Sequence, residues 1–280
     1  MTIFQVSVRR FLMLISIVAV LLLASGFYLW DLNVVSFWED ESWMAIAIDD
    51  GLPEVWTFAT ERGVHPPLYF YMAWFWSRLA GNGELALRWM GGLITLVGLA
   101  FTYRNGRELY NHRAGFFAVL LASGMIYLIY LTRLARHYTL YFALTALLLW
   151  VYQRWSRNKD DRYLAGITLT MAGLLYTHYF GIWMVLIVGV HSPLTHSIRR
   201  TIKLGFAFIG SAILFVPWLP SLDYQLRFSG QGAGIQYAIR DVEAIIRNYQ
   251  DRLTNTIPEL AVIMLVFAVI ALIQAKKWRW

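Results

Sequence analysis

The 280-residue chain is 59% hydrophobic and 15% charged, with a mean hydropathy of +0.52, more apolar material than a soluble domain of this length can bury. It contains no cysteine, which excludes a disulfide framework, a thiolate metal site and a cysteine nucleophile. The net charge of +7 reads as the basic bias of cytoplasmic loops in a polytopic protein, and no nucleic-acid partner is expected.

The first element is Phe11 to Trp30, about 20 residues without a charge, long enough at about 1.5 Å per residue to cross roughly 30 Å of hydrocarbon. Arg9 and Arg10 precede it, and its length favours a signal anchor over a cleaved signal peptide. The segment from Asp31 to Leu87 then faces outward. Inside it, His65 to Leu79 (HPPLYFYMAWFWSRL) is apolar but short, roughly 20 Å as a helix, and rich in the aromatic residues that favour a membrane interface. It is predicted as a juxtamembrane helix on or dipping into the outer leaflet, starting at Pro66-Pro67 where a missing N–H costs little. Further spans are predicted at Arg88 to Tyr103, Ala114 to Thr132, Tyr138 to Tyr152, Tyr163 to Tyr176, Tyr179 to Val190, Leu204 to Leu219 and Ile257 to Ala275. The outcome is an all-α polytopic membrane protein of about eight transmembrane helices, with an outer-face juxtamembrane loop after the first helix.

Charge parity supports that count. With Arg9 and Arg10 inside, the cytoplasmic segments also carry Arg104, Arg107, Arg113; Arg154, Arg157, Lys159, Arg162; Arg199, Arg200, Lys203; and Lys276, Lys277, Arg279. They hold most of the 24 basic residues but only Glu108, Asp160 and Asp161 of the 17 acids, as the positive-inside rule requires. Merging the spans on either side of Thr177-His178, or promoting His65 to Leu79 to a span, would turn basic clusters outward. The N-terminus is therefore placed in the cytoplasm, and Asp31 to Leu87 and Pro220 to Thr256 outside. The division expected is a catalytic module over residues 1–222, including outer loop 31–87, followed by residues 223–280 as an outer loop plus a final transmembrane helix.

Several outward groups have chemical potential. Glu39-Asp40-Glu41 could supply a general base or bind a cation, or be a solvated acidic loop. His65 could hydrogen-bond a phosphate or cap a helix; Arg133 could bind phosphate or snorkel to headgroups; Arg136 is suited to bidentate phosphate contact. Thr177-His178-Tyr179 forms the apex of a short hairpin, which belongs inside protein or against a watery cavity. All fall on one side under a topology derived without them, around one outer-leaflet cavity suited to transforming a lipid headgroup.

At these residues the chain resembles the GT-C type membrane glycosyltransferases of family 39, the protein mannosyltransferase and aminoarabinose transferase relatives. The resemblance rests on Asp40-Glu41, His65-Pro66-Pro67-Leu68-Tyr69, Gly81 to Arg88 (GNGELALR), Arg133-Leu134-Ala135-Arg136-His137-Tyr138, Thr177-His178-Tyr179 and Pro217-Trp218-Leu219-Pro220, and covers most of residues 1–225. It implies transfer of a sugar from a polyprenyl-phosphate donor to an acceptor hydroxyl on the extracytoplasmic face of the plasma membrane, by inverting single displacement, as part of cell-envelope chemistry. The acceptor would be a glycan, a lipid or a protein, with membrane lipids as surroundings. By the same resemblance Asp40 is the base or orients the acceptor, with Glu41 beside it; Arg136 and Tyr138 contact the donor phosphate; and His65, His178 and Tyr179 shape the substrate cavity. Many relatives carry a Glu where this chain has Leu134 and Ala135, and relatives usually continue past the point where this chain stops at Trp280, so a short family member or a truncated product is expected. Asp40, Glu41, His65 and His178 are of metal-ligand type but lack close ligand spacing, so no metal and no other cofactor is expected. Two other classes compete: a lipid-linked sugar transporter or flippase, which would want ionisable residues mid-helix, and a truncated, non-catalytic donor-binding subunit.

Overall fold

The computed structural model describes residues 3–62, 65–158 and 160–228. The predicted span Ile257 to Ala275, and nearly all of the predicted unit 223–280, lie outside the described residues.

Every element described is helical. α1 (Ile3–Leu29) is followed by an irregular turn and by α2 (Glu39–Asp50) and α3 (Leu52–Thr57); a π-helical turn, Phe58–Arg62, leads to α4 (Leu68–Ala80). Then come α5 (Glu84–Leu109), α6 (His112–Ser123), α7 (Ile126–Thr132), α8 (Tyr138–Asn158), α9 (Arg162–Thr177), α10 (Gly181–Thr195) and α11 (Ile198–Phe215). A 3₁₀ turn, Val216–Trp218, joins α11 to α12 (Leu219–Phe228).

α5 is the central post, packed against α1, α4, α6 and α8, while α9 links α8 to α10 and α11. Small residues allow the close approaches: a Cβ on Gly91 would stand 3.1 Å from the Thr132 carbonyl oxygen, so this glycine lets the α7–α8 turn lie directly on α5. Outward faces are strongly apolar. Leu22, Leu23, Val190, Leu194, Ile198 and Phe206 are all more than half exposed, a surface that suits hydrocarbon and not water.

By length and composition, α5 and the continuous Ile198–Arg227 segment can each cross a membrane, and α6 with α7, bent by 66° at Gly124-Met125, would make a third span. The predicted count of eight is not reached among the described residues. The first seven predicted spans fall on helical segments, Ala114 to Thr132 on the bent pair α6 and α7, but α9 has only 16 residues and α10 only 15, and α8 turns polar through Gln153, Arg154 and Arg157.

The segment read as an outer loop is mostly helix. Met44, Ala47 and Ile48 recur at helical spacing along α2 and are buried with Phe58, Phe70 and Leu87 in one core to which α4 contributes. Tyr69, Phe70 and Ala73 have no exposed surface, so α4 is a packed member of the bundle on that face. The helix starts at Leu68 with Pro67 at its N-cap, as the Pro-Pro signal predicts.

The bundle has two chemically different poles. At one, Glu108 accepts from Arg154 at 2.8 Å and from the Trp150 indole at 3.1 Å, and Arg157, Arg200 and Lys203 bind helix ends or acids of the same pole. At the other lie α2, the start of α4, the α7–α8 turn and the α9–α10 turn.

Candidate active site

Asp40 and Glu41 are neighbours on α2, but successive helical residues project about 100° apart, and the two carboxylates have separate fates. Glu41, 1% exposed, faces inward and binds the Arg88 guanidinium through two contacts, Nη2 to Oε2 at 2.9 Å and Nε to Oε1 at 3.3 Å. It also accepts from the Ala135 N–H at 2.6 Å and the Trp38 N–H at 3.0 Å, the latter satisfying a free donor at the start of α2. The remaining donors of Arg88 reach the carbonyls of Leu32, Val35 and Ser36. One buried ion pair thus gathers the chain after α1, the first turn of α2 and the turn before α8.

Asp40 points the other way. Its side chain is 71% exposed and lies 3.3 Å from Nη2 of Arg136, whose own side chain is 7% exposed. Arg136 Nη1 also donates to the Asp40 carbonyl at 3.4 Å. A buried cation therefore reaches an accessible carboxylate at the mouth of the site. Tyr138, the first residue of α8 and half-buried, stacks obliquely on His137 with centroids 4.4 Å apart.

Behind Arg136 three imidazoles meet. His65 precedes α4, His137 precedes α8 and His178 closes α9, and one ring nitrogen from each lies within 4.8 Å of the others. Ring centroids are 4.3 Å apart for His65–His137, 4.7 Å for His137–His178 and 5.1 Å for His65–His178. Burial, reinforced by Arg136 and His178, pulls His65 down to about 3. Burial and then the neighbouring His65, His178 and Arg136 hold His137 well below the usual imidazole range; burial and then Arg136 lower His178. All three shifts favour the uncharged ring. Both nitrogens of His137, Nδ1 of His65 and the hydroxyls of Tyr69 and Thr139 are buried and find no partner among the described residues.

The α9–α10 turn that presents His178 is tight. A Cβ on Gly181 would fall 2.7 Å from the backbone carbonyl carbon and oxygen of Leu174. Phe180 N–H donates to His178 Nδ1 at 3.0 Å, fixing the ring. Tyr179 turns away: its hydroxyl bonds Gln225 and accepts from the Trp218 indole at 3.0 Å, while Gln225 donates to the carbonyls of Ala59 and Thr60. Arg133 donates to the carbonyls of Trp30 and Asp31, closing the C-terminal end of α1.

Asp40, Arg136, Tyr138, His65 and His178, singled out in the sequence, thus lie around one pole, with Glu41 beneath them as a tether. Two contributors escaped the sequence reading. Arg88 was seen only as part of the motif entering α5; its partner is 47 residues away, and no local pattern reports such a pairing. His137 was overshadowed by Arg136, although an imidazole next to a turn on a helix start is the signal that could have flagged it.

A cavity of about 370 Å³ adjoins this pole, lined by Asp31, Trp38, Arg88, Tyr130 and Arg133 among others. A second, of about 660 Å³, opens at the opposite pole between the ends of α8 and α10 and the start of α11, around Tyr152, His191, His196 and Arg200. None of its lining residues belongs to the site of Asp40 and Arg136.

An all-helical bundle with a lipid-compatible exterior and a charged, histidine-lined pole defines an integral membrane protein with a cluster of polar groups at one end. The chain belongs to the dolichyl-phosphate-mannose-protein mannosyltransferase family, whose model matches residues 64–224, and so to the glycosyltransferases of GT-C type. The match includes His65, Arg136, His137, Tyr138 and His178 and begins after Asp40 and Glu41. Comparison with curated proteins finds no match.

Proposed function

We propose that this protein moves a sugar from a polyprenyl-phosphate donor to a hydroxyl of a glycan, lipid or protein acceptor, by inverting single displacement at the extracytoplasmic face of the plasma membrane, with its N-terminus in the cytoplasm. The observation that carries the reading is the pairing of an exposed carboxylate, Asp40, with a buried guanidinium, Arg136, at one mouth. Donor and base chemistries need those two groups side by side. A phosphate leaving group needs fixed positive charge at its oxygens, and an acceptor hydroxyl needs a carboxylate to take its proton.

In this scheme the donor phosphate takes the place of the Asp40 carboxylate on Arg136, which frees Asp40 for the acceptor. The acceptor oxygen attacks the anomeric carbon from the side opposite the phosphate, its proton passing to Asp40. The anomeric carbon–oxygen bond to phosphate breaks with its electron pair on the phosphate oxygen, and Arg136 meets the charge left there. Glu41 stays an acceptor for Arg88 and Ala135 N–H and takes no proton. Tyr138 and the imidazoles lie beside Arg136 on the donor side of the site.

The clustering of Arg154, Arg157, Arg200 and Lys203 at the far pole supports the orientation, since an excess of positive charge marks the cytoplasmic side. A transporter is disfavoured because α5 between Arg88 and Arg104, α9 after Arg162 and the whole of α10 carry no Asp, Glu, Lys or Arg to line a path. The test is transfer from a labelled polyprenyl-phosphate sugar by the purified protein. Asp40→Asn and Arg136→Ala should each abolish turnover; full activity in both variants would overturn the proposal. Donor binding without any turnover in the unmodified chain would point instead to a non-catalytic binding subunit.

A further inference from the structure

We propose that His65, His137 and His178 form a three-histidine site for a divalent transition metal of the zinc class, with one coordination position left open for a phosphate oxygen. Three of the six histidines in the chain, from three separate turns, converge until their ligand atoms lie within 4.8 Å of one another. Direct N–H···N bonds between the rings would need about 3 Å. Neither nitrogen of His137 bonds another ring, and the three rings are close enough to share a central atom.

The need for such an atom is seen at His137. Its side chain has no exposed surface, and neither ring nitrogen finds a partner among the described residues. Leaving a buried polar atom unpaired costs roughly 1–3 kcal/mol, and His65 adds a third unpaired nitrogen in the same place. A metal uses those lone pairs. Imidazole nitrogen is also the commonest protein ligand for a metal of this class.

The fit is close. Zinc holds imidazole nitrogens at about 2.0–2.1 Å, which sets tetrahedral ligands roughly 3.4 Å apart. Ring rotation and a small inward movement of each turn would draw the three nitrogens together. Ligation by His178 through Nε2 would put its ring proton on Nδ1 and release the Phe180 N–H contact, which is the main local cost. Three neutral ligands leave the ion's charge uncompensated, and Arg136 stands beside them. Such a site selects an oxyanion at its fourth position.

This inference does not depend on sugar transfer and is tested apart from it. The full chain, purified in detergent with its affinity tag removed and stripped with chelator, is titrated with cobalt(II). One equivalent should bind with the strong visible absorption of four-coordinate cobalt, and inorganic phosphate should shift that spectrum. His137→Ala and His65→Gln should each weaken binding by more than about 100-fold and erase the absorption. A paired His191→Ala, His196→Ala variant, altered at the opposite pole, should bind as the unmodified chain does. Should a single histidine variant misfold, the unmodified chain still decides: failure to take up one equivalent, or uptake lost only in the His191/His196 variant, overturns the site. An unshifted spectrum with phosphate overturns the open position.

Discussion

The Asp40 carboxylate and the Arg136 guanidinium meet at 3.3 Å with reversed burial, 71% exposed against 7%. An ordinary surface ion pair exposes both partners and contributes little. Here the cation is held by the fold, and the anion is the replaceable partner. That asymmetry is what a site for an incoming phosphate requires, because only one side of the pair has to move.

Arg136→Lys separates charge from shape. Lysine keeps the positive charge but loses the planar fork that grips two oxygens. The Michaelis constant for the lipid-linked donor should rise about 10- to 100-fold, the equivalent of one charged hydrogen bond of roughly 1.5–3 kcal/mol, with a smaller fall in kcat. Steady-state kinetics at varied donor concentration would show this, and an unchanged Michaelis constant would remove Arg136 from donor binding.

Glu41 should behave unlike its neighbour. Glu41→Ala strands the Arg88 guanidinium and the Ala135 N–H without an acceptor in a buried setting. Breaking such a pair costs about 3–5 kcal/mol, so the thermal midpoint in detergent should fall steeply. Asp40→Asn, at an exposed position, should leave that midpoint nearly unchanged while removing activity. Equal loss of stability in the two variants would contradict the division of roles between the carboxylates.

The division explains what could be read from the chain and what could not. Hydropathy located α1, α5, α8 and α11, and Thr177-His178 marked the break between α9 and α10, because these signals are local in sequence. The Asp40-Glu41 pair read as two acids in a loop, since the helical period of Met44, Ala47 and Ile48 was masked by the acids at both ends of α2. Which acid faces inward depends on Arg88 and Ala135, 47 and 94 residues away. The imidazole cluster was invisible for the same reason: three turns far apart in the chain bring together rings whose spacing in sequence follows no ligand pattern. α4 was legible as a helix, but its burial rests on α2, α5 and α9 and not on its own composition.

Glycine substitutions test the placement of His178. Gly181→Ala puts a methyl 2.7 Å from the Leu174 backbone, where no flexible side chain can yield. The α9–α10 turn has to shift, at about 1–3 kcal/mol by analogy with overpacked cores, and His178 moves with it. Lower thermal stability and reduced transfer should appear together. Gly205→Ala is the matched comparison: a Cβ there meets nothing within 4 Å, and alanine in a helix interior should stabilise by roughly 0.5–1 kcal/mol.

Tyr179 belongs to a different circuit from His178 although the two are adjacent. Its hydroxyl bridges the buried Trp218 indole and Gln225, and Gln225 in turn holds the carbonyls of Ala59 and Thr60. Tyr179→Phe leaves the Trp218 N–H and the Gln225 carbonyl oxygen unpaired, a loss of about 1–3 kcal/mol. Gln225→Ala should cost a similar amount, and the double variant less than the sum, because both break one network. Thermal midpoints of the three variants measure this coupling. If Tyr179 instead touched the donor, Tyr179→Phe would raise the Michaelis constant with no change in stability, and the two energies would simply add.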